Sequence, residues 1–211
     1  MIRPVKKEDL VQITKVHQIC FPDSYSSQLS KYQLFVKKRL QECFFEEFLN
    51  DCPELFLVAE VDGKIVGYCM GYYMDKDDQM SNFIKKNRWR LSLKTIFLML
   101  IGNKPTWKKM LSRFDKSSKE QWVIVNASYE HILNNERGDL LSICILPEYR
   151  GAGVSGKLMS TFLDVMKSKG KRLCLLSVLS DNDRAITYYE KNGFILYRTR
   201  GEIGRTYMRL L

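Results

Sequence analysis

The stretch Leu146-Pro-Glu-Tyr-Arg-Gly-Ala-Gly-Val-Ser-Gly-Lys157 constrains the fold of this chain more than any other. An apolar run over residues 140–146 stops at Pro147, a short loop follows, and three glycines lead into a helix-patterned segment over 157–169. Glycine removes the side chain where a ligand or a second backbone must come close. The first turn of a helix leaves N–H groups unpaired at the positive end of its dipole. A strand, a glycine turn and a helix start together suit a pyrophosphate. A tight packing turn would use the same glycines, so this stretch alone leaves both readings open. Arg150 and Lys157 add positive charge beside it.

The neighbouring sequence supplies alternating strands and helices. Residues 2–5 read as a short strand, and Leu10, Ile13, Val16, His17 and Cys20 recur at helical spacing. A second helix is expected over about 30–49, with Leu40, Phe44 and Phe48 on one face. Asp62-Gly63 between two apolar runs is a strong hairpin signal, giving antiparallel strands over 55–61 and 64–70. Residues 172–179 form an almost wholly apolar strand, as a buried parallel neighbour should. A short helix over 183–191 ends at Asn192-Gly193, and closing strands are expected over 194–200 and 206–211. The order predicts an α/β fold.

Gly151-x-Gly153-x-x-Gly156 also matches a dinucleotide-binding fingerprint. That motif needs glycines directly off the strand and an acid about 20 residues on. Pro147 to Arg150 intervene, and residues 175–180 carry no acid. Only 55 residues follow Gly156, too few for a doubly wound nucleotide domain. The dinucleotide reading fails.

The run Ile143-Cys-Ile-Leu-Pro-Glu-Tyr-Arg-Gly-Ala-Gly-Val-Ser155 resembles the acetyl-CoA signature of the GCN5-related N-acetyltransferases (GNATs), Arg/Gln-x-x-Gly-x-Gly/Ala. Here it reads Arg150-Gly-Ala-Gly153-Val-Ser155, with serine at the last position and Gly156 directly after it. Serine is small and keeps its N–H, so the cradle is expected to survive. Downstream, Asn182-Asp-Arg-Ala-Ile-Thr-Tyr-Tyr-Glu-Lys-Asn-Gly-Phe194 is similar to the second signature of the family. The motifs match over residues 140–194.

The resemblance implies a mixed, strongly twisted central sheet whose two neighbouring parallel strands, 140–146 and 172–179, splay apart, flanked by helices. It implies one acetyltransferase domain over 1–211 with a basic helical insertion at about 75–135. It further implies acetyl-CoA as co-substrate, direct transfer of its acetyl group to an amine, and no metal. Pantetheine would fill the gap like an extra strand, paired with the main chain of Ile143, Cys144 and Ile145. The pyrophosphate would lie on the turn formed by Arg150, Gly151, Ala152, Gly153, Val154, Ser155 and Gly156. Asn182 would contact pantetheine, and Tyr189 would donate a proton to the departing thiolate, with Tyr188 as its nearest competitor. A phenol suits that role because its reference pKa, about 10, keeps it protonated at neutral pH. No general base declares itself: Asp139, Glu136 and His131 read as solvated surface residues, and Ser177 is no base. Cys144 inside an apolar strand reads as an inert small hydrophobe.

Composition narrows the rest. The chain of 211 residues is 45% hydrophobic and 27% charged, which excludes a disordered or low-complexity chain. Thirty-four basic against 24 acidic side chains leave a charge of +10, favouring anionic ligands. Six cysteines contain no C-x-x-C pair, arguing against a zinc ribbon and for a reducing compartment. The N-terminus lacks a signal-peptide pattern, and the run 95–101 is far short of the roughly 20 apolar residues of a membrane span. A soluble cytoplasmic protein is the expectation. Residues 81–113 carry nine bases and no acid, with Trp89 and Trp107 flanking an apolar centre. This segment reads as a solvated helix pair, as a surface for an anionic membrane, or as a guide for an anionic substrate. Nucleic acid is disfavoured, because no recognised binding module accompanies the charge. The acceptor expected is the primary amine of a small molecule, with an amino sugar as one candidate. The alternatives are a protein N-acetyltransferase and a non-catalytic module of the same fold that binds an anionic membrane or partner.

Overall fold

A computed structural model describes residues 1–24, 27, 40–75, 79–111 and 121–211. Strand β1 (Ile2–Pro4) leads to helix α1 (Leu10–Cys20), α2 (Leu40–Asp51), β2 (Phe56–Val61) and β3 (Lys64–Tyr73). Helices α3 (Gln79–Leu100) and α4 (Lys104–Leu111) precede β4 (Val123–Ile124) and β5 (Arg137–Ile145). Then come α5 (Val154–Ser168), β6 (Leu173–Leu179), α6 (Asp183–Lys191), β7 (Ile195–Arg200) and β8 (Gly204–Leu210). The strands form one open sheet in the order β1-β2-β3-β5-β6-β8-β7-β4. Among the described residues only β5 and β6 pair in parallel; the other ladders are antiparallel.

Both faces of the sheet are covered, and the sequence shows why. In β2, Leu57 and Ala59 pack towards α5, while Phe56 and Val58 pack towards α1 and α2. The period of two thus buries both faces of one strand. Helix α5 presents Leu158, Phe162 and Met166 at four-residue spacing, all fully buried. Each such side chain contributes about 1.5–3 kcal/mol of burial. On the opposite face, Ile13 and Val16 of α1 and Phe45 and Phe48 of α2 close a second core over Tyr68 and Met70. A smaller cluster of Ile132, Leu173, Leu175 and Met208 continues that face towards β8.

The hairpin stands where Asp62-Gly63 put it, with φ of 49° and 74° at the two turn residues. Val61 pairs with Lys64 directly across it. The second helix begins at Leu40 among the described residues; the part expected over 30–39 lies outside them. Two helices with a break at Gly102 occupy 79–111. One element of the 75–135 segment departs from the helical expectation. Val123 and Ile124 pair with Thr199 and Arg198 and extend the sheet at its β7 edge. Both side chains are exposed, so no hydrophobic alternation announced the strand, and backbone pairing alone defines it.

The parallel pair separates part-way along its length. β5 pairs with β6 only from Arg137 to Leu140, against Leu173 to Leu176. Beyond that point β5 stays paired with β3 as far as Ile145, and β6 stays paired with β8 as far as Leu179. A bulge lies at the divergence: Met70 opposes Ser142 while Gly71 opposes Leu140, leaving Leu141 as the extra residue. Gly71 is required there, because a Cβ would overlap the Asp139 carbonyl and the Phe162 ring.

Candidate active site

The splay opens a cleft of about 360 Å³ between the ends of β5 and β6. Ile143, Cys144 and Ile145 line one wall, Arg150, Gly151 and Ser155 the end, and Asn182, Tyr188 and Tyr189 the other wall. Eight of the residues singled out from the sequence therefore meet in one cavity: Ile143, Cys144, Ile145, Arg150, Gly151, Ser155, Asn182 and Tyr189. Ala152, Gly153, Val154 and Gly156 do not line it but build the turn beneath its end.

That turn has the geometry a bound anion requires. A single 3-10 turn (Pro147–Tyr149) ends β5, after which Gly151 and Gly153 adopt φ of 85° and 76°. Gly153 caps α5 without any side-chain hydrogen bond. The N–H groups of Val154, Ser155 and Gly156 thus open the helix with no intrahelical acceptor. A Cβ on Gly151, Gly153 or Gly156 would meet nothing within 4 Å, so the space above the turn is open. The serine at position 155 leaves this arrangement intact. Val154 packs on the core.

The cleft wall is tied together by four polar contacts. The Ile145 carbonyl accepts from Arg150 Nε at 2.9 Å and from the Cys20 thiol at 3.5 Å. Asn182 Oδ1 accepts from the Ala185 amide at 3.2 Å and so caps α6. The Tyr188 hydroxyl donates to the Ser155 carbonyl at 2.7 Å. Burial pushes the Tyr188 phenol up to about 12 and raises that of Tyr189 as well. Tyr189 packs edge-on against Tyr188 and Phe194, with ring centroids 5.6 and 6.0 Å away. Its hydroxyl has no hydrogen-bond partner among the described residues, which separates it from Tyr188.

Sequence reasoning missed Cys20, Phe21 and Arg184 on the cleft wall. Arg184 could have been found as a base two residues beyond Asn182 in the first turn of a helix. Cys20 and Phe21 carry no local signal, since only the tertiary fold brings the end of α1 to β5. The hydrogen bond with the Cys144 side chain lowers the Cys20 thiol to about 7 against the opposing effect of burial, with Arg150 adding to the lowering. Burial raises that of Cys144.

The face of the sheet opposite α5 holds a second group of polar residues. Because Leu141 is the extra residue of the bulge, Asp139, Ser142 and Cys144 share that face. Asp139 stands across from Tyr72 and from Leu175, both directed to the same side. The expectation that Asp139 is a solvated surface residue is overturned: it is half-buried, and desolvation lifts its carboxyl to about 7, opposed by the charge of Arg198. Glu136 instead pairs with Arg172 at 2.9 Å, which lowers its pKa, and His131 is exposed. Ser142 Oγ lies 2.9 Å from the Tyr68 hydroxyl, which meets His17 Nδ1 at 2.6 Å. Burial holds His17 down to about 4, so it is neutral at physiological pH. No cluster of three metal-ligating side chains occurs among the described residues, and no described helix is long and apolar enough to cross a membrane.

Residues 121–194 match the family model described as the acetyltransferase (GNAT) family. The match covers about a third of the chain, the part that holds most of the cleft lining. The GNAT match spans β4 through Phe194 and so contains both the glycine turn and the Asn182 helix. Over 62 residues the chain is 40% identical to N-alpha-acetyltransferase 30 of Schizosaccharomyces pombe, covering 29% of this chain and 41% of the relative's length. An N-alpha-acetyltransferase of Sulfurisphaera tokodaii is 25% identical over 195 residues, 92% of this chain and 78% of that one. The likeness of fold to solved acetyltransferases is not confined to that stretch. The PaiA N-acetyltransferase of Thermoplasma acidophilum, solved in complex with coenzyme A, superposes with a TM-score of 0.57 at 18% identity, covering 100% of this chain and 98% of the other.

Proposed function

We propose that this protein transfers the acetyl group of acetyl-CoA directly to a primary amine. The observation that carries this reading is the loss of β5–β6 pairing after Leu140, directly above an uncapped helix start. Pantetheine fits the gap between Ile143–Ile145 and the end of β6, and the pyrophosphate fits the N–H groups from Gly151 to Gly156. Arg150 and Arg184 supply positive charge at the mouth. The side chain of Asn182 is engaged in capping α6, so its role towards pantetheine is to fix the cleft wall.

The chemistry follows from the remaining groups. A carboxylate near neutrality is a suitable base; Asp139 does not itself line the cleft, so it takes the ammonium proton through water. The amine nitrogen then attacks the thioester carbon and gives up its second proton to solvent water, to which Asp139 also returns the first. Main-chain N–H groups of β5 stabilise the oxyanion. As the tetrahedral intermediate collapses, the C–S bond breaks and the CoA thiolate takes the Tyr189 hydroxyl proton. The tyrosine recovers a proton from solvent.

Both carbonyl-side contacts of Ile145 are already engaged, so the pantetheine pairing falls mainly to Ile143 and Cys144. The acceptor assigned is a small-molecule primary amine, with anionic amino sugars favoured by Arg198 beside Asp139. A second reading, the α-amine of a peptide, is supported by the two N-alpha-acetyltransferase relatives. Release of free CoA thiol with a panel of amino sugars, polyamines and short peptides tests both. Turnover with no amine in the panel, despite micromolar acetyl-CoA binding, would overturn the assignment of acceptors.

A further inference from the structure

The helices α3 and α4 present an apolar surface that the acetyltransfer reading does not use. Phe83 and Leu98 of α3 are buried, and Phe83 meets the Phe44 ring of α2 at 5.4 Å. That contact fixes one side of α3 against the domain. On another side, Trp89, Leu93, Ile96 and Leu100 follow one another at i, i+4, i+7 and i+11. This spacing sets them in one stripe along the helix. Trp89 is 71% exposed, Leu93 67% and Leu100 81%. A helix packed on one side should carry polar residues on such a surface, and here it carries four of its largest apolar ones.

Helix α4 continues the patch. Trp107 Nε1 donates to the Met99 carbonyl at 3.1 Å, which folds α4 back onto the end of α3. Trp107 and Leu111 lie four residues apart and are both exposed. Six large apolar side chains on one surface exceed the scattered exposure normal for a monomer.

Charge selects the occupant. Residues 79–111 contain eight lysines and arginines and no acid. Lys85, Lys86, Arg88 and Lys104 are exposed among the apolar residues. Lys86 also contacts Glu47 of α2. A second copy of this surface would bring these like charges together, which opposes self-association. A surface that is both apolar and negatively charged satisfies the two features at once. Tryptophans flanked by lysines at the apolar–polar boundary fit the interfacial zone of a bilayer. We propose that the exposed stripe of α3 and α4 docks the protein on an anionic membrane surface, with Trp89, Leu93, Leu100 and Trp107 entering the headgroup layer.

The test is co-sedimentation of the full chain with vesicles of phosphatidylcholine, alone or mixed with phosphatidylglycerol, at low and high salt. The mixed vesicles should bind at least tenfold more tightly than the neutral ones, with the difference shrinking in salt. Tryptophan emission should shift to shorter wavelength on binding. A Leu93→Ser/Leu100→Ser variant and a Lys85→Glu/Arg88→Glu variant should each lose most of the binding. Circular dichroism and acetyl-CoA titration of both variants check that the fold and the cleft persist. Equal binding to neutral and anionic vesicles, or binding that survives the serine variant, overturns the proposal. Concentration-dependent dimerisation abolished by Leu93→Ser also overturns it, assigning the stripe to self-association.

Discussion

The Tyr188 hydroxyl donates to the backbone carbonyl of Ser155 at 2.7 Å, tying α6 to the first turn of α5. That bond joins one wall of the cleft to its glycine-turn end. It also divides the labour of two adjacent tyrosines. Tyr188 holds the structure, and the proposed mechanism gives the Tyr189 hydroxyl to the leaving thiolate.

Substitution should expose that division. Tyr189→Phe is expected to lower kcat by about 10²–10³ while leaving acetyl-CoA affinity within twofold, as loss of a general acid does. Tyr188→Phe is expected to cost about 1 kcal/mol of stability and to weaken acetyl-CoA binding, because the start of α5 loosens. Steady-state kinetics with calorimetric titration of both variants checks this. Equal losses of kcat in the two would assign the proton to either phenol.

Gly153 offers a direct test of the cradle. Its φ of 76° is strained for any L side chain, costing about 1–2 kcal/mol in the left-handed region. No protein atom lies within 4 Å of the Cβ that a substitution would add. Gly153→Ala is therefore expected to remain folded with a lowered Tm and weaker acetyl-CoA binding. Gly153→Glu should abolish binding by setting a carboxylate at the proposed pyrophosphate position. Thermal melts with and without acetyl-CoA distinguish the effects: both variants unfold earlier, and only the glutamate variant loses stabilisation by ligand.

Asp139 predicts the pH dependence. Burial lifts its carboxyl to about 7 in the folded chain, so the ionised form that the proposed mechanism uses accumulates as pH rises through that value. The acidic limb of the kcat/KM profile should have its midpoint there, and Asp139→Asn should remove the limb together with most of the activity. The same shift has a stability consequence of definite sign. An unfolded aspartate titrates at about 3.9. Between that value and 7 the folded state holds the proton more tightly, so this group's contribution to stability declines as pH rises through the window. Chemical denaturation of the native chain and Asp139→Asn at pH 5 and 8 measures the difference.

How much of this was legible in the sequence depended on the range of the signal. The Asp62-Gly63 hairpin and the glycine turn are local, encoded in a few adjacent residues whose backbone angles only glycine or a turn former tolerates. Helix α5 declared itself through the spacing of Leu158, Phe162 and Met166. Asp139 could not be read correctly, because its burial comes from neighbours on β3, β6 and β7 that lie far away in sequence. The bulge at Leu141 also reversed the face that simple alternation assigns to Asp139 relative to Ser142 and Cys144. The pairing of Val123 and Ile124 was hidden for a different reason: both side chains face solvent, and an edge strand held by backbone bonds leaves no hydrophobic pattern. Cys20 reached the cleft only because α1 crosses β3 and β5.

Cys20 supplies a reporter for the cleft that does not depend on knowing the acceptor. The hydrogen bond with the Cys144 side chain lowers its thiol to about 7, so a large thiolate fraction exists at neutral pH. Alkylation rate follows that fraction. Iodoacetamide is therefore expected to modify Cys20 before Cys52, Cys69, Cys144 and Cys174, all of which are buried. The rate should rise with pH to a plateau, with its midpoint near 7. Cys144→Ala removes the neighbouring thiol and should move the midpoint upward, slowing the reaction at neutral pH. Because Cys20 lines the cleft beside the Ile145 carbonyl, saturating acetyl-CoA should protect it, while NAD should not. Peptide mapping by mass spectrometry reads each outcome. Fast alkylation of Cys20 that acetyl-CoA leaves unchanged would show that the ligand does not occupy this end of the cleft.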